Sequence, residues 1–181
     1  MEPDNKIAGN LRIGFVVVRD LGEAGYIGGY LCINERGVPI EFWHTTDSPI
    51  KVTRLQRLMY GKTLMPELLG RHIAGSLLGE NRQTSPIKPL VLFTEEEDIL
   101  RGFNISGIAI ALVNPYSSVA TEGQGSSSQI VATAAGDVMI QWKREDIGEA
   151  EKLIPQLKFI DVLEPFERIR NLLDEIAGKV I

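Results

Sequence analysis

Leu11–Arg19 reads LRIGFVVVR, Tyr26–Ile33 reads YIGGYLCI, and Pro39–Thr45 reads PIEFWHT. The first run is apolar and β-branched at its centre, from Ile13 and Phe15 through Val16, Val17 and Val18, the composition of a buried strand of ordinary length. Between the first two runs lie the turn residues Asp20-Leu21-Gly22-Glu23-Ala24-Gly25. Between the second and third lies Asn34-Glu35-Arg36-Gly37, where Gly37 can take the left-handed position of a short hairpin loop. Strands joined by turns this short pair antiparallel, so the sequence predicts a three-stranded meander at the start of the fold.

Outward from the meander the apolar period changes from two to about 3.6. Val52, Leu55, Leu58 and Met59 share one face of a short predicted helix ending near Gly61. A second helix is predicted from Thr63 as N-cap, with Pro66 in its first turn and a stripe running from Leu64 to Leu77. Leu90–Phe93 reads as a short strand, followed by Thr94-Glu95-Glu96-Glu97 in capping-box form and a helix to about Arg101. Ile105–Val113 is a further strand, stopped at Asn114-Pro115, and Gln129–Ala134 with Asp137–Lys143 reads as a hairpin. The C-terminal third is predicted helical, from Ile147 to Leu157 and then along Val162, Phe166, Ile169, Leu173 and Ile176. The expected fold class is therefore α+β or α/β: a mixed sheet opening with an antiparallel meander, helices packed on it, and a helical C-terminus. It is read as one globular domain over residues 1–181, with 1–9 a disordered tail and the Ser/Gly-rich stretch 117–128 a mobile loop.

Composition narrows the class further. A chain of 181 residues with 44% hydrophobic and 24% charged residues buries a core without a staple. The single cysteine, Cys32, excludes an intramolecular disulfide and every CxxC metal or redox motif. The expected location is the cytoplasm, with no membrane association. The net charge of −5 is unevenly spread, at −3 over residues 1–50, +5 over 51–88 and −7 over 89–181. A positive stretch in an acidic chain marks an anion-attracting face or a segment packed beside the acidic C-terminal third.

The candidate sites follow from these patterns. Lys51, Arg54, Arg57, Tyr60 and Lys62 lie within reach of one another around the first helix and suit a contact with a protein partner or with phosphate. Nucleic acid is the natural phosphate-bearing partner for the 51–88 segment. Glu95 and Asp98 follow a strand directly, and with Asp20 and Glu67 they form the alternative metal-binding set. No complete catalytic constellation and no cofactor motif is present, so no catalytic residue and no cofactor is expected. Gly22, Gly25, Gly28 and Gly29 lack the ending and the strand-to-helix context of a phosphate loop, and Gly28 and Gly29 read instead as a bulge or a close approach in the second strand. His44 and His72 are in no metal spacing, and Cys32 lies in an apolar strand where a thiol is inert.

Two resemblances add to this. Gly28-Gly29-Tyr30-Leu31 through Asn34, Gly37, Pro39 and Glu41-Phe42, then Leu58–Leu64 and Leu163–Arg170, resemble a bacterial family of hypothetical proteins to which no activity attaches, and no residue role follows from it. The order of three antiparallel strands, helix and strand is similar to the opening of ribonuclease H-like folds. Those enzymes place a metal-binding aspartate in the middle of the first strand, where this chain reads Ile13-Gly14-Phe15-Val16-Val17-Val18 with no acid before Asp20. On these grounds the leading expectation is a non-catalytic interaction or scaffold subunit of an intracellular bacterial assembly, not an enzyme, either self-associating or bound to a protein partner. The alternative is a divalent-metal-dependent nuclease or phosphoester hydrolase of ribonuclease H-like topology.

Overall fold

A computed structural model describes residues 11–79, 87–117, 128–143, 146, 148 and 151–179. Among the described residues seven strands form one sheet in the order β3-β2-β1-β4-β5-β7-β6, with β1 Ile13–Asp20, β2 Tyr26–Ile33, β3 Pro39–His44, β4 Val91–Thr94, β5 Ala109–Pro115, β6 Ser128–Thr133 and β7 Gly136–Trp142. β1 pairs antiparallel with β2, and β2 with β3, which is the predicted meander. β4 lies parallel to β1 on its other side and β5 parallel to β4. The hairpin of β6 and β7 then joins antiparallel to β5. The order 3-2-1-4-5, with only β2 reversed, is ribonuclease H-like. Gly37 sits at φ +75°, and Asn34 Oδ1 accepts from the backbone of Arg36 and Val38, which closes the β2–β3 turn.

The period of two along β1 divides the core. Ile13, Phe15 and Val17 point to the face covered by α4 (Ile154–Leu157) and α5 (Glu164–Ala177), where they meet Leu157, Phe166, Ile169 and Leu173. Phe15 packs edge-on against Phe166 at 5.2 Å between ring centroids. Val16 points to the other face, with Tyr30, Cys32, Leu92 and the helical residues Leu69, Ile73, Leu77 and Ile99. All eight residues of β2 are buried because both faces are covered, so that strand reads as a continuous apolar run rather than an alternating one. A Cβ at Gly28 would lie 2.3 Å from Ile73 Cγ2, and one at Gly29 2.7 Å from Ile169 Cγ2. Close approach, not an anion loop, explains the pair. The ladder irregularity of β2 falls at Cys32/Ile33 instead.

Three helical expectations are corrected. The predicted helix from Thr63 is a π-helix over Pro66–Ala74 that tightens into α2, Gly75–Leu78. Its backbone bonds reach one residue further than the 3.6-residue pattern implies, as Gly75 N–H to Gly70 O shows. Thr63 does not cap it, because its hydroxyl donates to Tyr60 O. The capping box at Thr94 is not formed either: Thr94 is the last residue of β4, its Oγ1 accepts from Glu96 N–H, and α3 runs Glu97–Gly102 with Glu96 as N-cap. β5 continues through Asn114 and Pro115, because Pro115 lies at the strand's end where a missing donor is tolerated. The 1–9 tail and nearly all of the 117–128 loop lie outside the described residues.

Candidate functional site

β1 leaves the sheet centre through a turn toward β2, while β4 leaves through α3 toward β5 on the opposite side. The C-terminal ends of these two adjacent parallel strands therefore diverge. Open α/β sheets hold their ligands in the crevice at such a switch point. Val16 pairs with Thr94, so Glu95 and Glu96 emerge beside the last residues of β1. Arg170 of α5 forms an ion pair with Glu95, and Asp174 takes Arg19 of β1 at 2.8 Å. Charged groups of β1, of the β4–α3 connection and of α5 thus stand together at this edge of the sheet, each at least partly open to solvent. The Glu96 carboxyl is pushed above the usual carboxylate range, first by partial desolvation and then by the negative charges of Glu95 and Asp98.

The alternative metal set does not converge. Asp20 Oδ1 accepts from Gly22 N–H at 2.8 Å, and Glu67 stands on the π-helix with Arg71 at 3.4 Å. Glu95 is engaged by Arg170. Among the described residues no group of three or more His, Cys, Asp or Glu side chains is placed to hold a metal ion. The position on β1 beside Thr94 is Val16, fully buried and apolar. These residues do not fit the carboxylate-bridged metal centre that the topology implies elsewhere.

Of the five basic-segment candidates, Lys51 lines one hollow with Arg57 and another with Tyr60, while Lys62 faces a separate cavity. α1 runs Arg54–Tyr60, closed by a capping box of Thr53 and Gln56, and all seven of its residues are exposed. Leu55, Leu58 and Met59, the face expected to be apolar, stand 69–74% open. Lys51 and Arg57 line a shallow hollow with Gly22 and Tyr26. Lys62 instead joins Arg71, Arg101, Asn104 and Lys143 around a cavity of about 590 Å³. Arg82 lies outside the described residues. The sequence reading missed Arg101, Lys143 and Arg170, because only the fold brings α3, β7 and α5 to these places.

Of Cys32 and the two histidines, only the cysteine is accounted for by burial. Cys32 is fully buried, and burial, the larger cause, raises its thiol pKa despite the Tyr30 hydroxyl beside it. His44 Nδ1 lies 2.7 Å from Thr46 Oγ1, and His72 is exposed on the π-helix.

The topology and the charged crevice define an α/β protein of ribonuclease H-like arrangement. No family model and no curated protein matches the chain. Among solved structures it is similar to human endonuclease V, with 13% identity, 98% of this chain and 88% of that chain covered, and a TM-score of 0.47. The catalytic domain of the same human enzyme aligns at 13% identity over 97% and 87%, with a TM-score of 0.45. An endonuclease V of Ciona intestinalis, in complex with an inosine-containing 23-mer DNA, aligns at 10% identity over 94% and 86%, with a TM-score of 0.45. At these values no residue role is carried across. The findings correct two expectations from the sequence. The resemblance to a family of hypothetical proteins is replaced by likenesses to endonuclease V along nearly the whole chain. The expectation of a non-catalytic scaffold subunit that is not an enzyme is likewise withdrawn, because no scaffold protein stands among these three likenesses, each of which is to an endonuclease V. No helix among the described residues is long and apolar enough to cross a membrane.

Proposed function

We propose that this chain hydrolyses phosphodiester bonds in nucleic acid, working in the crevice at the C-terminal ends of β1 and β4. The observation that carries the reading is the placement of Glu95 and Glu96 at the switch point of a ribonuclease H-like sheet, with Arg170 paired to Glu95. Glu96 stands at this edge with its carboxyl raised above the usual carboxylate range, which makes it a stronger base, so Glu96 is the group that would take the proton of the attacking water. The new P–O bond forms as the bond to the leaving ribose oxygen breaks, and that oxygen is protonated by solvent. Arg170 exchanges its contact with Glu95 for the phosphate, whose planar bidentate recognition suits a guanidinium. No step here is routed through a metal, because the described side chains do not gather around one.

The test is incubation of the purified protein with end-labelled single- and double-stranded DNA and RNA, in magnesium, in manganese and in EDTA, with products separated by length. Cleavage of at least one substrate, lost in Glu96→Gln, is the expected result. Intact substrates under all conditions, at protein in excess over nucleic acid, would refute the proposal.

A further inference from the structure

Four cationic side chains from separate stretches of the chain, Lys62, Arg71, Arg101 and Lys143, line the 590 Å³ cavity, and among the described residues Glu67 is the one carboxylate in its wall. A concentration of positive charge thus stands in a protein whose net charge is −5. Like charges gathered this way repel, and the fold holds them together through backbone contact. A Cβ on Gly102 would lie 1.8 Å from Pro66 O, and one on Gly70 2.6 Å from the Gly102 backbone, so the π-helix and α3 touch main chain to main chain beneath the cavity.

The cations are incompletely compensated. Arg101 is held by Glu97 at 2.5 Å and Arg71 more loosely by Glu67 at 3.4 Å. Lys143 Nζ donates to Phe103 O at 2.6 Å, and neither it nor Lys62 has a carboxylate partner among the described residues. A carbonyl fixes the ammonium without neutralising it. Two guanidinium forks, two ammonium point charges and the neutral donor of Asn104 are the recognition chemistry of a phosphate group.

We propose that the cavity between the π-helix and α3 is a binding site for a phosphate group, carried either by a small phosphorylated compound or by a nucleic-acid backbone. It is distinct from the crevice: the crevice carboxylates stand at the N-terminal end of α3 and the cavity at its C-terminal end, roughly 9 Å along a helix rising 1.5 Å per residue. The site stands whether or not the crevice cleaves anything.

Titration calorimetry of the whole chain with pyrophosphate at low salt tests it, using Lys62→Gln/Arg101→Gln against a control, Lys51→Gln/Arg57→Gln, whose cations lie outside the cavity. All four residues are exposed, so both variants are expected to fold, and their thermal midpoints verify it. Loss of two charge-assisted contacts should raise Kd at least about tenfold in the first variant and leave the control within about twofold. Competition by a short oligonucleotide without terminal phosphates identifies the source. Displacement of pyrophosphate assigns the site to backbone phosphate, and failure to displace assigns it to a small phosphorylated compound, both in support. No measurable pyrophosphate binding, or equal weakening in the control, overturns the proposal.

Discussion

Replacing Gly28 by alanine tests the way the π-helix is seated on the sheet. The added Cβ would lie 2.3 Å from Ile73 Cγ2 and 3.1 Å from Leu77 Cδ1, where carbons in contact sit about 3.5–4.0 Å apart. Ile73 is fully buried, so it has no open space to turn into, and the π-helix must move away from β2 by roughly 1 Å. Overpacking of this kind costs about 1–3 kcal/mol, which for a chain of this length lowers Tm by about 3–10 °C. Ile73→Ala removes the obstructing methyl and by itself costs about 2–5 kcal/mol through the cavity it leaves. In the double variant the new methyl of residue 28 occupies part of that cavity. Its total loss should therefore fall short of the sum of the two single losses by about 1 kcal/mol or more. Urea unfolding followed by circular dichroism gives all three values. Additive losses, or a Gly28→Ala variant as stable as the parent, would refute the close-approach account. The second result together with weakened anion binding would restore a phosphate-loop role for these glycines.

Three further outcomes follow from packing and burial. Phe166→Ala removes a fully buried ring set edge-on against Phe15 and should cost about 3–5 kcal/mol in the same urea assay. Leu58→Lys and Met59→Lys, on the exposed face of α1, should each change stability by no more than about 0.5 kcal/mol, in spite of their hydrophobic character. The Tyr30 hydroxyl and the Cys32 thiol both have raised pKa values, chiefly from burial, so their neutral forms are favoured in the fold. The stability they contribute is fully present below the ordinary thiol and phenol values and is lost as pH rises past about 9 toward the raised ones. Urea midpoints should be flat in this respect at neutral pH and fall above it, with a smaller fall in Tyr30→Phe.

The strands were the legible part of this fold, since period-two alternation in β1 and turn residues such as Asn34 and Gly37 are local signals. The continuous burial of β2 and the close approach at Gly28 and Gly29 were also open to reading, because glycines in an apolar strand mark a neighbour at short range. The π-helix was not: one extra residue per turn leaves an apolar stripe that looks α-helical over nine residues. Thr94 misled because its hydroxyl faces a choice between capping α3 and closing the turn at the end of β4, and tertiary context selects the turn. The Thr53–Gln56 capping box was present in the residues and could have been found. The cation cavity could not, since Lys62 and Lys143 stand 81 positions apart in the chain and meet only through the contact of the π-helix with α3. The crevice was half legible: the acidic run after β4 was visible, while Arg170 and the absence of a converging metal set required the fold.

Hydrolysis at the C-terminal ends of β1 and β4, with Glu96 as proton acceptor, is the activity we propose. Single-turnover cleavage by the parent and by Glu96→Gln, with thermal midpoints measured alongside, tests it most directly. Glutamine keeps the size of the side chain at this exposed position, and the midpoints show whether any loss of rate accompanies unfolding. The expected rate is lower by about 10²–10⁴-fold at an unchanged midpoint. A variant that cleaves at the parent rate would contradict it.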